Sequence, residues 1–340
     1  MTHRTNNAPV FLLGRFRSGT TALWQLFDRL PKYTAWYEPL HPNLPAAIAY
    51  TQPQASHRHV SDYWLPYRRL VKPSLPHWQR AFATRRLYLE NHAQWPELKN
   101  HIDWLIQQSV GTPVFKFTRM DLRVGWLRTQ YPQARIINIR RRPIQLWRSC
   151  RAHLPETEKT NESHPDAYEL MQWSNALAAD FPFLAPQSGR HSYFRHYALW
   201  QMATGMAKSY ADFHLTLETL TEDVDRLADW LDWSEEDTAV STAGLEPPAR
   251  LPEEPQAEAH LLAIEQQVDS VLRESGLDQL GTQPLNAIRQ ANPEWWNRAR
   301  VDPATLSDEA LQALYAREDE ITRLLHEVAS KPSQRHRGQE

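Results

Sequence analysis

Cysteine is almost absent: the 340-residue chain contains one, Cys150. A single thiol closes no intrachain disulfide framework and no cysteine-rich zinc site, which excludes stapled scaffolds and zinc modules of that kind. Long apolar runs are also missing. No stretch approaches the roughly 20 apolar residues of a membrane span, and the N-terminus lacks the apolar core of a signal peptide. The expectation is a soluble protein of a reducing compartment, the cytoplasm. Glycine is scarce, ten residues against 25 prolines and 14 tryptophans, which predicts rigid surface loops and aromatic walls. Charge of either sign is nearly balanced, at −2 overall. The length admits one large α/β domain or two smaller ones.

The near-zero net charge hides an asymmetry. Between Asp121 and Glu156 there is no acidic residue, while the same window carries Arg123, Arg128, Arg135, Arg140, Arg141, Arg142, Arg148 and Arg151. The segment from Glu218 to Asp237 is correspondingly acidic. A local arginine field in a neutral protein points to one compact polyanionic ligand rather than to nucleic acid.

One stretch organises the rest. Val10-Phe11-Leu12-Leu13 is an unbroken apolar run of the length of a buried parallel strand. A loop follows, Gly14-Arg15-Phe16-Arg17-Ser18-Gly19-Thr20-Thr21. Leu23, Leu26, Phe27 and Leu30 then recur at helical spacing until Pro31 stops the helix. Strand, glycine turn and helix N-terminus form a phosphate-binding geometry, because unpaired backbone N–H groups and the helix dipole both favour an anion. Gly14 and Gly19 have the spacing of a Walker A loop, but Thr20 occupies the lysine position. The nearest cation is Arg17 instead.

The string R-S-G-T-T between strand and helix resembles the 5′-phosphosulfate-binding loop of sulfotransferases that use 3′-phosphoadenosine 5′-phosphosulfate (PAPS). Arginine at this position is similar to the carbohydrate- and bacterial-type members. A second motif supports the resemblance. Arg135-Ile136-Ile137-Asn138-Ile139 reads as another buried strand, followed by Arg140-Arg141-Arg142-Pro143 and a 3–4 repeat in Ile144, Trp147, Cys150 and Leu154. In the family an arginine ending this strand and a serine eight residues later clamp the 3′-phosphate. Arg141 and Ser149 match that spacing, and the arginine fork suits phosphate oxygens. A weaker likeness lies in His214 to Leu220 and the acidic helix after it, where Leu217 replaces a tyrosine that often touches adenine. Ala22 likewise replaces a tryptophan of the cytosolic members.

Further strands are expected at 34–37, 114–118 and 213–217, with Lys116 and Thr118 on one face of theirs. Residues 32–112, rich in proline and aromatics, read as short helices over one sheet face, and 155–166 as a mobile loop. Thr221 is expected to open the helix bearing Val224, Leu227, Ala228 and Leu231. Leu261, Ile264, Val268 and Leu272 predict a helix closed by Gly276, and Ser307 opens another with Leu311, Leu314, Ile321, Leu325 and Val328. The tail from Lys331 is expected to fray. The fold expected is α/β: a P-loop-like three-layer arrangement with a mostly parallel sheet flanked by helices, and a helical C-terminal region. Residues 1–245 would be the core, with a helical insertion at about 40–112, and 246–340 a helical extension packed on it.

The resemblance implies an enzyme, a PAPS-dependent sulfotransferase. It implies that the loop, with Ser18, Gly19, Thr20 and Thr21, holds the 5′-phosphosulfate, and that Arg17 stabilises charge on the bridging phosphate oxygen. Arg141 and Ser149 would hold the 3′-phosphate. PAPS is then a co-substrate, and no metal is needed, since arginine and the helix dipole supply the positive field. The base is less direct. Cytosolic members have a histidine near the position of Thr118, and it is missing. Carbohydrate- and bacterial-type members often show E-P-L where Glu38-Pro39-Leu40 stands, so Glu38 is the expected base, with Trp36 and Tyr37 raising its pKa. His41 is the alternative base, and Lys116 and Arg119 are candidates to orient the sulfuryl group. The acceptor is a small-molecule or carbohydrate hydroxyl, a phenol included. The rivals are an ATP-dependent small-molecule kinase of P-loop type and a non-catalytic nucleotide- or RNA-binding protein. The sequence does not give the oligomeric state.

Overall fold

Five strands, β1 (Val10–Leu13), β2 (Tyr33–Tyr37), β3 (Thr112–Phe117), β4 (Arg135–Arg140) and β5 (Phe213–Thr216), form one sheet in the order β2-β3-β1-β4-β5. Every pairing is parallel. The computed structural model describes residues 8–53, 57, 59–70, 75–152, 167–185, 191–248 and 255–299. All four residues of β1 are buried, as a strand covered on both faces requires. Each such side chain contributes about 1.5–3 kcal/mol by leaving water. Phe11 packs against Phe115, Phe117 and Tyr131, which ties β1 to β3 and to the helix Val124–Gln130 that Tyr131 closes.

Helix α1 (Thr20–Asp28) buries Leu23, Trp24, Leu26 and Phe27 and lies against β1, β2 and β3. The long helix Ser192–Tyr210 packs beside β4 and the helix Pro143–Arg151. Helices thus flank the sheet, and the architecture is the expected P-loop-like α/β fold with the sheet wholly parallel. Between β2 and β3 the chain forms short helices at Leu44–Tyr50, Leu65–Arg68 and Ala81–Thr84 and a longer one at Pro96–Gln108. Most aromatics of this stretch are core residues: Tyr63, Trp64, Tyr67, Tyr88 and Trp95 are buried.

The helix after β5 runs Leu220–Trp230, starting one residue before the expected Thr221. Thr219 precedes it, and its hydroxyl donates to Asp223 (2.7 Å). The helix Pro255–Ser275 carries Leu261, Ile264, Val268 and Leu272 inward. Gly276 ends it at φ 76°, a left-handed turn that favours glycine. The expected mobile loop at 155–166, Leu154, the helix opened by Ser307 and the tail from Lys331 lie outside the described residues.

Strand order decides where chemistry is possible. The chain leaves β1 for β2 and β3 on one side, then crosses to β4 and β5 on the other. The loop after β1 therefore stands at the crevice beyond the C-terminal strand ends, where open parallel sheets bind ligands. Register does the rest. Tyr37 is paired with Lys116 and Leu13 with Phe117, so Glu38, Thr118 and the β1 loop emerge at one level.

Candidate active site

The loop after β1 makes a tight turn before α1. The Ser18 N–H and hydroxyl both reach the Arg15 carbonyl (3.1 and 2.7 Å), and Gly19 takes φ 93° at the helix start. A Cβ on Gly19 would sit 2.5 Å from a methyl of Leu217, so both backbone and space demand glycine. The first amides of α1 have no intrahelical acceptor and open into a cavity of about 620 Å³. Arg17, Gly19, Thr20, Thr21, Glu38, Arg141 and Ser149 all line that cavity. Ser18 does not, since its hydroxyl is turned back into the loop.

The two loop arginines have separate fates. Arg15 is buried in an ion pair with Asp121 (2.8 Å). Arg17 points into the cavity, donating from Nε to the Ser149 hydroxyl (3.3 Å) with its guanidinium 5.9 Å from the centre of the Tyr168 ring. The helix Pro143–Arg151 brings Ser149 back to the end of β4, beside Arg141. The Arg141 guanidinium has no hydrogen bond or ion pair among the described residues, although Arg141 is 9% exposed. Burial, and then Arg17, push its pKa down, partly offset by Glu218. A buried cation facing a second cation across a cavity is costly unless an anion joins them.

The arginine field as a whole is not a ligand site. Arg123 donates to the carbonyls of Arg86, Phe82, Arg119 and Arg85. Arg128 pairs with Asp212, Arg135 with Asp232 and Arg148 with Glu258. Arg151 lies over Trp147, while Arg140 and Arg142 are exposed. Of the eight, Arg141 alone lines the cavity. The field is thus divided: four of the eight arginines bond carbonyls or carboxylates of other segments, and a compact polyanion in the cavity would meet Arg141 alone among them.

Glu38 follows β2 and is 6% exposed, at φ 43°. Lys116 Nζ donates to its Oε1 (2.6 Å), and the Thr118 hydroxyl reaches both carboxylate oxygens (2.7 and 2.9 Å). Arg119 stands 3.6 Å from Oε2. Burial by itself would raise the carboxyl, but Lys116 and Arg119, together with the hydrogen bonds from Lys116 and Thr118, hold it below the usual carboxylate range. The expected upward shift from Trp36 and Tyr37 is therefore reversed. Trp36 is on the other face of its strand, donating to Ser109 (2.8 Å). Tyr37 does line the cavity, with Lys116 4.1 Å from its ring centre and its hydroxyl 3.1 Å from Thr21. Lys116, raised in pKa by Glu38 against the effect of burial, completes a charged pair held inside the protein.

His41 also lines the cavity. Its Nδ1 accepts from the Asn43 N–H (3.1 Å). Burial first, and Arg119 next, push its pKa down to about 4, so the ring is neutral at pH 7. The remaining wall includes Phe16, Thr51, His57, Tyr63, Trp64 and Tyr168, with Leu217 behind the loop.

The sequence offers Lys116 and Arg119 as lesser candidates and Tyr63 and Trp64 chiefly as packing aromatics, and it does not mark Tyr168 as a lining residue. No local signal places them on one wall, because each depends on contacts across the chain. Arg17, Glu38 and Tyr168 share one trait: all three are non-glycine residues at positive φ (66°, 43° and 55°) on the same cavity. Such conformations cost about 1–3 kcal/mol each and concentrate at functional sites.

A sequence model of the sulfotransferase family matches residues 9–191. Among solved structures, sulfotransferase STF9 from Mycobacterium avium is similar with a TM-score of 0.42 and 17% sequence identity, covering 78% of this chain and 76% of that chain. No curated protein matches the chain.

Proposed function

The chain belongs to the sulfotransferase family, and from that premise we propose that it moves a sulfuryl group from PAPS to an acceptor hydroxyl. The observation that carries the choice of donor is Arg141: a buried guanidinium without a described partner, in the same cavity as the R-S-G-T-T loop. A nucleotide with a 3′-phosphate supplies the anion that Arg141 lacks, and ATP does not. Arg141 and Ser149 hold that 3′-phosphate. The amides at the start of α1, with Gly19, Thr20 and Thr21, hold the 5′-phosphosulfate, and Ser18 shapes the loop from within.

The acceptor approaches along the Tyr37, Tyr63, Trp64 and His57 wall, which suits an uncharged ring-bearing alcohol, whether phenol or carbohydrate. Glu38 takes the proton as the acceptor oxygen attacks sulfur. The sulfur–oxygen bond to the 5′-phosphate breaks, and Arg17 stabilises the charge left on that oxygen. A depressed carboxyl is a weaker base than one tuned upward, but it is ionised throughout the neutral range. His41, neutral at pH 7, is the second candidate. Lys116 and Thr118 fix the Glu38 carboxylate, and Lys116 lies close enough to the cavity to meet the sulfuryl oxygens as well. In the same reading residues 1–245 are the catalytic core, and 246–340 a helical extension. Its first helix meets the core through Tyr193–Glu265 (2.5 Å) and Gln201–Asp269 (2.9 Å). A cytoplasmic location fits the single buried Cys150.

The test compares nucleotides. The desulfated product of PAPS (PAP) raises the melting temperature without magnesium, and ADP does so far less. Equal stabilisation by ADP, or a strict magnesium requirement, removes the 3′-phosphate assignment and returns the kinase reading. A hydrogen bond to a charged group is worth about 1.5–3 kcal/mol, so Arg141→Ala weakens PAP binding by one to two decades.

A further inference from the structure

Arg119 is 5% exposed and stands between two carboxylates. Its Nη2 donates to Glu169 Oε1 at 2.7 Å, while Nη1 stays 3.6 Å from Glu38 Oε2. Its Nε is buried with no hydrogen-bond partner, and its guanidinium lies 4.8 Å from the centre of the Phe16 ring in the donor loop. Glu169 is itself held. Its other oxygen accepts from the Trp173 indole N–H (3.2 Å), and its backbone is fixed at φ 62°. Trp173 is buried, packed edge-on to Phe16 (6.1 Å). The close contact with Glu169 therefore keeps Arg119 out of a bidentate grip on Glu38. Lys116, Arg119, Glu38 and Glu169 carry two positive and two negative charges, and loss of Glu169 leaves the group with an excess of one.

We propose that Glu169 is a positioning residue for sulfuryl transfer: it draws Arg119 off Glu38, so that Oε2, which already meets the Thr118 hydroxyl and N–H (2.9 and 3.4 Å), keeps a lone pair for the acceptor proton. The inference rests on the reading of Glu38 as the base. Without the Glu169 charge, Arg119 closes on Glu38 as a two-pronged donor, and the carboxylate loses both basicity and an open lone pair.

Because the acceptor is unidentified, water is the probe. PAPS is incubated with the enzyme alone, and release of PAP and sulfate is followed. The water oxygen bonds to sulfur, the sulfur–oxygen bond to the 5′-phosphate breaks with its electron pair going to PAP, and the water proton goes to Glu38. Glu169→Gln keeps shape and hydrogen bonding but removes the charge. It slows this reaction about three- to tenfold and leaves PAP affinity unchanged. In the Glu38→Gln background the same substitution has no further effect, since the group it acts upon is gone. Trp173→Phe removes the N–H that holds Glu169 along with part of a buried ring, so it gives a smaller loss whose link to Glu169 is read from the same dependence on Glu38. It also stands in if Glu169→Gln does not fold. An equal slowing in both backgrounds, or a loss of PAP affinity in step with rate, makes Glu169 merely structural and overturns the proposal. So does an unchanged rate in Glu169→Gln. If Glu38→Gln alone turns over as fast as the parent, the base assignment itself has failed and the proposal falls with it, an outcome distinct from the other three.

Discussion

Replacing Lys116 by methionine tests whether the pocket is built around a buried charge pair. Lys116 and Glu38 are 3% and 6% exposed, and Nζ lies 2.6 Å from Oε1. Removing one partner of such a pair costs about 3–5 kcal/mol, because the other charge stays desolvated. Thr118 and Arg119 remain beside Glu38, so the lower end, about 3 kcal/mol, is expected at pH 7. A loss of 1 kcal/mol lowers Tm by about 2–4 °C in domains of 150–250 residues. A fall of about 6 °C follows for this larger chain.

The pH dependence carries the diagnosis. In the parent, the folded pKa of Glu38 is below its ordinary 4.5, so its stabilisation is present above that value and is lost as pH falls through the folded pKa. Lys116 is shifted upward from 10.5. Its contribution is complete below that value and is lost only as pH rises through the folded pKa, outside the neutral range. In Lys116→Met, burial of the carboxylate is opposed by less positive charge, and protonation relieves the strain. The stability deficit is therefore greatest at pH 7–8 and shrinks toward pH 4. The double variant Lys116→Met/Glu38→Gln recovers most of it, since a neutral pair has no buried charge to compensate. Urea unfolding of the three proteins between pH 4 and pH 8 measures all these quantities. A deficit constant with pH, or a double variant no better than the single one, would refute the reasoning.

Other expected outcomes concern turnover and the donor loop. Under the proposed mechanism Arg17→Lys retains appreciable activity, because lysine keeps a cation at that position. Arg17→Ala loses most of it, since Arg15 is committed to Asp121; intact turnover in the alanine variant would reassign the role to Lys116. Glu38→Gln lowers turnover by about 10²–10⁴ with PAP affinity unchanged, and a parallel fall in both would make Glu38 a scaffold residue. If neither changes, His41→Asn is the next variant to measure. Gly19→Ala weakens PAP binding and lowers Tm, because the added methyl meets Leu217 in a left-handed turn. Calorimetric titration with PAP checks the first effect and a melting curve the second.

Much of this site was legible in the chain itself. Val10–Leu13, the glycine turn and the apolar repeat of α1 are local signals, each within a few residues of the next. The same holds for β4, Pro143 and Ser149, where a proline start and the helical repeat bring the serine back to the strand end. Short-range sterics and periodicity fixed these pieces, and their spelling pointed to a phosphosulfate loop and a 3′-phosphate clamp. What the chain did not disclose was the use of charge. Eight arginines without an intervening acid pointed to one compact polyanionic ligand, yet half of them are engaged with carbonyls or carboxylates from other segments, as with Arg123 on Phe82 and Arg128 on Asp212. The basicity of Glu38 was misjudged for the same reason. Its adjacent aromatics suggested an upward shift, whereas Lys116, 78 residues away, and Arg119 decide its pKa. Strand order β2-β3-β1-β4-β5 places those side chains at one sheet edge. Electrostatic energy depends on distance and burial, and both are set only when segments remote in sequence come together.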